Sequence, residues 1–193
     1  TWSCQLVAPG QQGKNPQDFG AAQPIRLPGT LDEAGLGAPV TQPDYGCLSR
    51  KFRYIEVASY ERDLEIPAAW QGQELELFLE RVLWKSEVWL DNRLLNREDS
   101  LATPHVHKLG KLAPGKHTLT LFVDNTMIHR IGDKGHAYGD HMQTIWNGVL
   151  GKIEVRPADP LARIKVTAPW PTQELKVEIP HLAANGWEFE ITD

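Results

Sequence analysis

The sequence is sparing in the features that would take it out of the class of ordinary folded domains. Two cysteines, Cys4 and Cys47, in 193 residues exclude a disulfide-dense miniature scaffold. They could pair in an oxidising compartment, or stand as two buried thiols. Without a CxxC spacing they define no metal set. Apolar runs are only a few residues long, well short of a membrane-spanning helix. There is no basic run, and 20 basic against 25 acidic residues leave a formal net charge of −5. A mildly acidic chain of this kind is not expected to bind nucleic acid or an anionic membrane. No GxSxG elbow supports serine-nucleophile chemistry, and no βαβ rhythm runs along the chain. The first residues, Thr1-Trp2-Ser3, lack the form of a secretion signal, so a targeting segment is expected to have been removed or never to have been present.

What is present is period two. Leu75, Leu77 and Leu79 alternate with Glu74, Glu76, Phe78 and Glu80. Leu119, Leu121 and Val123 alternate with Thr118, Thr120, Phe122 and Asp124. Val88 and Leu90 alternate with Glu87, Trp89 and Asp91, and residues 51–57 read as a further strand containing Phe52, Tyr54, Ile55 and Val57. Each pattern predicts one apolar and one solvated face, as in an antiparallel sheet covered on one side. Turn signals separate the runs: Pro114-Gly115, with the glycine expected at positive φ, and Asp91-Asn92-Arg93 at a hairpin position. Residues 66–72 read as a connector with one helical turn. A short helix is expected around residues 31–35, where Asp32-Glu33 would sit at its start. Many short strands between Gly/Pro turns predict an all-β, antiparallel two-sheet β-sandwich of jelly-roll type. Two prolines in residues 156–160 suggest a boundary. Beyond it, runs 162–167, 174–179 and 187–191 are too few strands to close a sandwich of their own, and the alternative is that they complete the first one. The expected division is therefore 1–156 and 157–193, the second part being the start of another β-domain.

Hydrolysis of a glycosidic bond needs two carboxylates about 5–10 Å apart, and no segment isolates such a pair. Asp91 and Asp124 stand beside Asn92 and Asn125, where turn and capping roles are commoner. His105 and His107 would share a strand face. His129, Asp133, His136, Asp140 and His141 crowd one loop, but no HExxH-like spacing organises them, so neither metal nor cofactor is expected. Binding chemistry is better supported. The chain has seven tryptophans, and residues 138–155 place Asp140, His141, Gln143, Thr144, Trp146 and Asn147 just before an alternating strand. Indole faces stack on sugar C–H faces while amides and carboxylates bind hydroxyls, so these six are the candidate carbohydrate-binding residues. Trp146-Asn147-Gly148 also reads as the anchor of the turn into the last strand, which leaves 140–144 to face a sugar.

Four stretches, in order, carry a family likeness: LPGTLDEAG at 27–35, IPAAWQGQELELFLERVLWKSEVWLDN at 66–92, ATPHVHKLGKLAPGKHTLTLFVDN at 102–125 and DHMQTIWNGVLGKIEV at 140–155. Together they resemble the N-terminal sugar-binding domain of glycoside hydrolase family 2, which includes β-galactosidases, β-glucuronidases and β-mannosidases. The resemblance implies a jelly-roll, galactose-binding-like domain followed by an immunoglobulin-like sandwich, begun at 157–193, and a catalytic (β/α)8 barrel. The barrel carries both catalytic glutamates, so no residue of this chain is assigned a catalytic role. The implied partners are a β-glycoside substrate, the protein's own C-terminal domains and a second copy of the chain, in a periplasmic or secreted setting. Where the family pattern closes a hairpin with Asn-Gly, this chain has Asn92-Arg93. Arg81 is expected to pair with a carboxylate inside the sandwich. A stand-alone carbohydrate-binding module and an oligomerisation domain are the competing expectations.

Overall fold

The computed structural model describes residues 1–7, 19, 21–42, 50–129, 145–159, 164–168, 171 and 175–178. The chain divides into two compact units, Thr1–Pro157 and Ala158–Asp193. In the first unit the strands are β1 (Trp2–Leu6), β2 (Gln23–Ile25), β3 (Gly29–Thr30), β4 (Ala38–Pro39), β5 (Phe52–Arg53), β6 (Val57–Ile66), β7 (Glu74–Val82), β8 (Lys85–Leu90), β9 (Arg93–Glu98), β10 (His105–Lys111), β11 (Gly115–Asp124) and β12 (Gly148–Pro157). A six-stranded sheet has the order β2-β1-β6-β11-β8-β9 and a four-stranded sheet the order β10-β7-β12-β3. Every pairing in both is antiparallel. Successive strands β6, β7, β8, β10, β11 and β12 cross between the two, which gives the expected antiparallel β-sandwich. In the second unit β13 (Lys165–Thr167) pairs antiparallel with β14 (Lys176–Glu178). The run 187–191 lies outside the described residues.

The alternation in the sequence builds the interior. Leu75, Leu77 and Leu79 from one sheet meet Leu119, Leu121, Val123 and Val88 from the other, all at 1% exposure or less. Each such side chain contributes roughly 1.5–3 kcal/mol of apolar burial. Residues 68–70 form the expected single helical turn, and Gly115 has φ +113°. The connection between β8 and β9 uses Asp91 and Asn92, both left-handed at φ 49° and 64°. Such a two-residue turn matches the twist of a hairpin. Arg93 is already in the strand, so the Arg at the family's glycine position is not forced into positive φ.

Several faces differ from expectation. The outer side of β11 is not solvated. Phe122 packs with Val7, Phe19 and Val57, with Trp89 against them, and the Phe19 and Phe122 rings meet edge-on at 5.7 Å. Thr120 is also buried, at 3% exposure. Glu76, expected on a polar face, is 2% exposed. Arg156 covers it, with Nε 3.0 Å from Glu76 Oε1 and its guanidinium over the Phe78 ring at 4.7 Å. The long aliphatic stem and planar head let one arginine shield a carboxylate and an aromatic face together. Arg81 instead projects outward, its side chain 64% exposed and Nε 4.0 Å from Glu80 Oε1. A pair so exposed adds little to stability. Strand 51–57 resolves into the short β5 and the start of the ten-residue β6, whose outward Glu61-Arg62-Asp63 masked its length in the sequence. The helix expected at 31–35 is one turn, closed by Ala34 N–H to the Thr30 carbonyl at 3.1 Å.

Cys4 is buried with a free thiol, and desolvation pushes its pKa up to about 12. A thiol so held is a small core hydrophobe rather than a nucleophile. Cys47 lies outside the described residues.

Two polar knots tie the sheets together. In one, Ser86 Oγ on β8 lies 2.6 Å from His105 Nδ1 and 2.8 Å from His107 Nε2 on β10. His105 Nε2 donates to the Ser100 carbonyl at 3.0 Å, and His107 Nδ1 donates to Asn96 Oδ1 on β9. Both rings are at 1% exposure or less. Desolvation, with the neighbouring His105 adding to it, lowers the His107 pKa to about 3. The shared strand face expected for the two histidines is therefore an interior one. The second knot underlies the candidate site.

Candidate functional site

Asn147 ends the segment that enters β12. Its side chain is an interior hub: Oδ1 accepts from the Tyr60 hydroxyl at 2.7 Å, and Nδ2 donates to the carbonyls of Glu56 at 2.9 Å and Val123 at 3.1 Å. Its own carbonyl accepts from Leu31 N–H at 2.9 Å. Asn125 repeats the device one strand away. Oδ1 accepts from Glu56 N–H at 2.9 Å, and Nδ2 donates to the Tyr54 carbonyl at 2.8 Å and the Trp146 carbonyl at 3.2 Å. The two amides bond backbone groups at and just beyond the strand ends, as buried polar atoms require. Gly148 completes the join. It has φ +140°, and a Cβ there would stand 2.2 Å from the Gly29 carbonyl oxygen, so only glycine lets β12 approach β3.

Above this floor is a cleft of about 300 Å³ lined by residues 30–33, Arg50, Phe52, Tyr54, 145–147 and Leu150. One wall is the turn at 30–33. Thr30 Oγ1 accepts from Glu33 N–H at 3.2 Å, while Glu33 Oε2 accepts from Thr30 N–H at 3.0 Å. This reciprocal pair has the logic of a capping box. Asp32 Oδ1 accepts from the backbone N–H groups of Lys51 at 2.9 Å and Phe52 at 2.7 Å, which fastens the turn to β5. Arg50 Nη1 donates to the Ile145 carbonyl at 2.6 Å, bringing the opposite wall in. The Tyr54 hydroxyl is turned away, its one proton shared between the carbonyls of Val57 at 2.6 Å and Val7 at 2.9 Å, and it accepts from Val7 N–H. Burial raises its pKa well above the ordinary phenol value. Phe52, Tyr54 and Trp146 are all half-buried, so the cleft combines partly exposed aromatic rings with carboxylates and a guanidinium. Such a surface offers both apolar and polar contacts.

Of the six residues nominated from the sequence, Trp146 and Asn147 fall at this cleft. Asp140, His141, Gln143 and Thr144 lie outside the described residues. The amide of Asn147 is not offered to a ligand: it is 2% exposed and both of its protons are committed internally. Its place is the floor. Trp146 remains at the rim. Sequence reading did not join Thr30, Asp32, Glu33, Phe52 and Tyr54 to the site. Asp32-Glu33 reads in the sequence as a helix start, and only the fold brings it to the start of β12. No cluster of three or more metal-ligating side chains occurs among the described residues. His129 Nε2 lies 3.3 Å from the Asp99 carbonyl.

No protein-family model matches the sequence, and no curated protein matches it. Solved structures do share the fold. An FMN-binding β-glucuronidase from Faecalibacterium prausnitzii L2-6 matches over 80% of this chain with a TM-score of 0.53 and 15% identity. A β-glucuronidase from Faecalibacterium prausnitzii matches over 70% with a TM-score of 0.50 and 24% identity. The matched region spans 21% and 22% of those chains, respectively.

Proposed function

We propose that this chain is a non-catalytic domain of a family 2 glycoside hydrolase, an exo-acting β-glycosidase, and that it shapes carbohydrate access and packs on a catalytic barrel carried elsewhere in the polypeptide. The observation that carries the reading is the β-sandwich shared with about one fifth of each of two β-glucuronidases. The ordered sequence motifs at 27–35, 66–92, 102–125 and 140–155 point the same way. The buried carboxylates agree with a role without hydrolysis. Glu76 is held by Arg156, and Asp124 Oδ1 accepts from Thr126 N–H at 2.9 Å and its hydroxyl at 2.7 Å. On this reading residues 157–193 begin an immunoglobulin-like domain, the 140–144 segment faces the sugar beside Trp146, and the enzyme is exported. Among the described residues no helix is long and apolar enough to cross a membrane.

The test is to follow the reading frame past Asp193 and assay both products. The extended polypeptide should encode a (β/α)8 barrel with paired glutamates and hydrolyse chromogenic β-glycosides, while residues 1–193 do not. Hydrolysis by residues 1–193 alone, or a frame that stops at Asp193, would overturn the reading. A stand-alone carbohydrate-binding module is the second reading, favoured by the aromatic-lined cleft within this one unit; the stopped frame is the outcome that would select it.

A further inference from the structure

We infer that the cleft between the 30–33 turn, β5 and residues 145–147 is itself a saccharide subsite that takes a single neutral pyranose ring and rejects uronates. The inference deepens the reading above and rests on it for the ligand class. Its size, aromatic content and charge each narrow the occupant.

A cleft of about 300 Å³ is at the small end of ligand sites, enough for one sugar ring and too small for a folded peptide segment. Phe52, Tyr54 and Trp146 supply apolar ring surface from two different segments. The Tyr54 hydroxyl is withdrawn into bonds with Val7 and Val57, so this residue presents ring rather than phenol. Axial C–H faces of a pyranose match such surfaces, and a planar anion does not. The described lining has two carboxylates, Asp32 and Glu33, and one guanidinium, Arg50. Two formal negative charges against one positive leave the described rim acidic. Arg50 Nη1 is turned to the Ile145 carbonyl, which draws positive charge toward the wall. Carboxylate oxygens accept from sugar hydroxyls but repel a second carboxylate, and a partly enclosed cleft weakens solvent screening of that repulsion. The two amides of the floor do not titrate, and burial raises the pKa of the Tyr60 hydroxyl bonded to one of them well above its ordinary value, so the floor keeps one protonation state beneath the rim.

The experiment is an NMR titration of residues 1–193 with methyl β-glucopyranoside, methyl β-galactopyranoside and methyl β-glucuronide. The expected result is millimolar binding of a neutral glycoside, with shifts centred on Trp146, Phe52 and Glu33. Trp146→Ala should weaken it about tenfold, the loss of one stacking contact. Phe52→Leu serves if that variant unfolds. Glucuronide should bind several-fold more weakly, and Glu33→Gln, which keeps an oxygen acceptor for Thr30, should close much of that gap. No shift at these residues up to saturating glycoside, equal or tighter glucuronide binding, or an unchanged affinity in both aromatic variants would overturn the inference. Failure of the glycosidase reading is registered separately, in the assay of the extended polypeptide.

Discussion

The two polar knots of the sandwich do the same mechanical task with opposite chemistry. Beneath the cleft, Asn147 and Asn125 bind carbonyls and a tyrosine hydroxyl with amides that do not titrate. Between β8 and β10, Ser86 is shared by the imidazoles of His105 and His107, and His107 does. Both knots are interior, but in the histidine knot one Ser86 hydroxyl proton is divided between the two ring nitrogens that face it. The difference teaches where this fold can respond to solution conditions. The floor of its cleft is held by amides indifferent to pH, and its histidine end is not.

The largest effect should come from cutting the amide knot. Asn147→Ala leaves the Tyr60 hydroxyl and the Glu56 and Val123 carbonyls without their buried partner. Each such loss costs on the order of 1–3 kcal/mol, so urea unfolding should show a deficit of about 3–5 kcal/mol. A deficit below about 1 kcal/mol would mean that the floor is less dependent on this amide than its bonds imply.

Acidification should strike the other knot. His107 is held neutral in the folded state, with its pKa lowered from 6.5 to about 3. The unfolded chain therefore binds more protons between those values. The contribution is fully present above pH 6.5 and is lost as pH falls toward 3. The difference in unfolding free energy between the native chain and a His107→Phe variant should shrink by about 2–3 kcal/mol from pH 7 to pH 4. A pH-independent difference would show that His107 is not the titrating group.

A third region gives the smallest and oppositely signed effect. His117 Nδ1 lies 2.7 Å from Asp91 Oδ2 at the β8–β9 turn. Hydrogen bonding to Asp91 raises the His117 pKa, and bonding to His117 lowers that of Asp91. Histidine stabilisation here is present at low pH and lost as pH rises through its folded value, while the Asp91 part is lost only on strong acidification. The carboxylate is half exposed, at 53%, so His117→Gln should change stability by no more than about 0.5 kcal/mol and less at high salt.

Much of the fold was legible because apolar alternation is local. β7, β8 and β11 can be traced from Leu75–Leu77–Leu79, Val88–Leu90 and Leu119–Leu121–Val123. The length of β6 was not, since its outward charged residues interrupt the pattern, and neither was the burial of Phe122, which depends on Phe19 from far along the chain. The site was legible only in part. Trp146 could be nominated from its setting. The commitment of Asn147 could not, because its partners stand at 56, 60 and 123. Asp32 and Phe52 join the cleft through a side-chain to backbone bond across 20 residues, a closure that leaves no spacing to read.

On the proposed reading, the cleft separates a floor that carries the fold from a rim that carries carbohydrate. The most direct test of that reading pairs glycoside calorimetry with urea unfolding on Trp146→Ala and the native chain. The expected result is an affinity loss of about tenfold with a stability cost well below that of Asn147→Ala. Unchanged affinity, or a stability loss as large as that of Asn147→Ala, would contradict it.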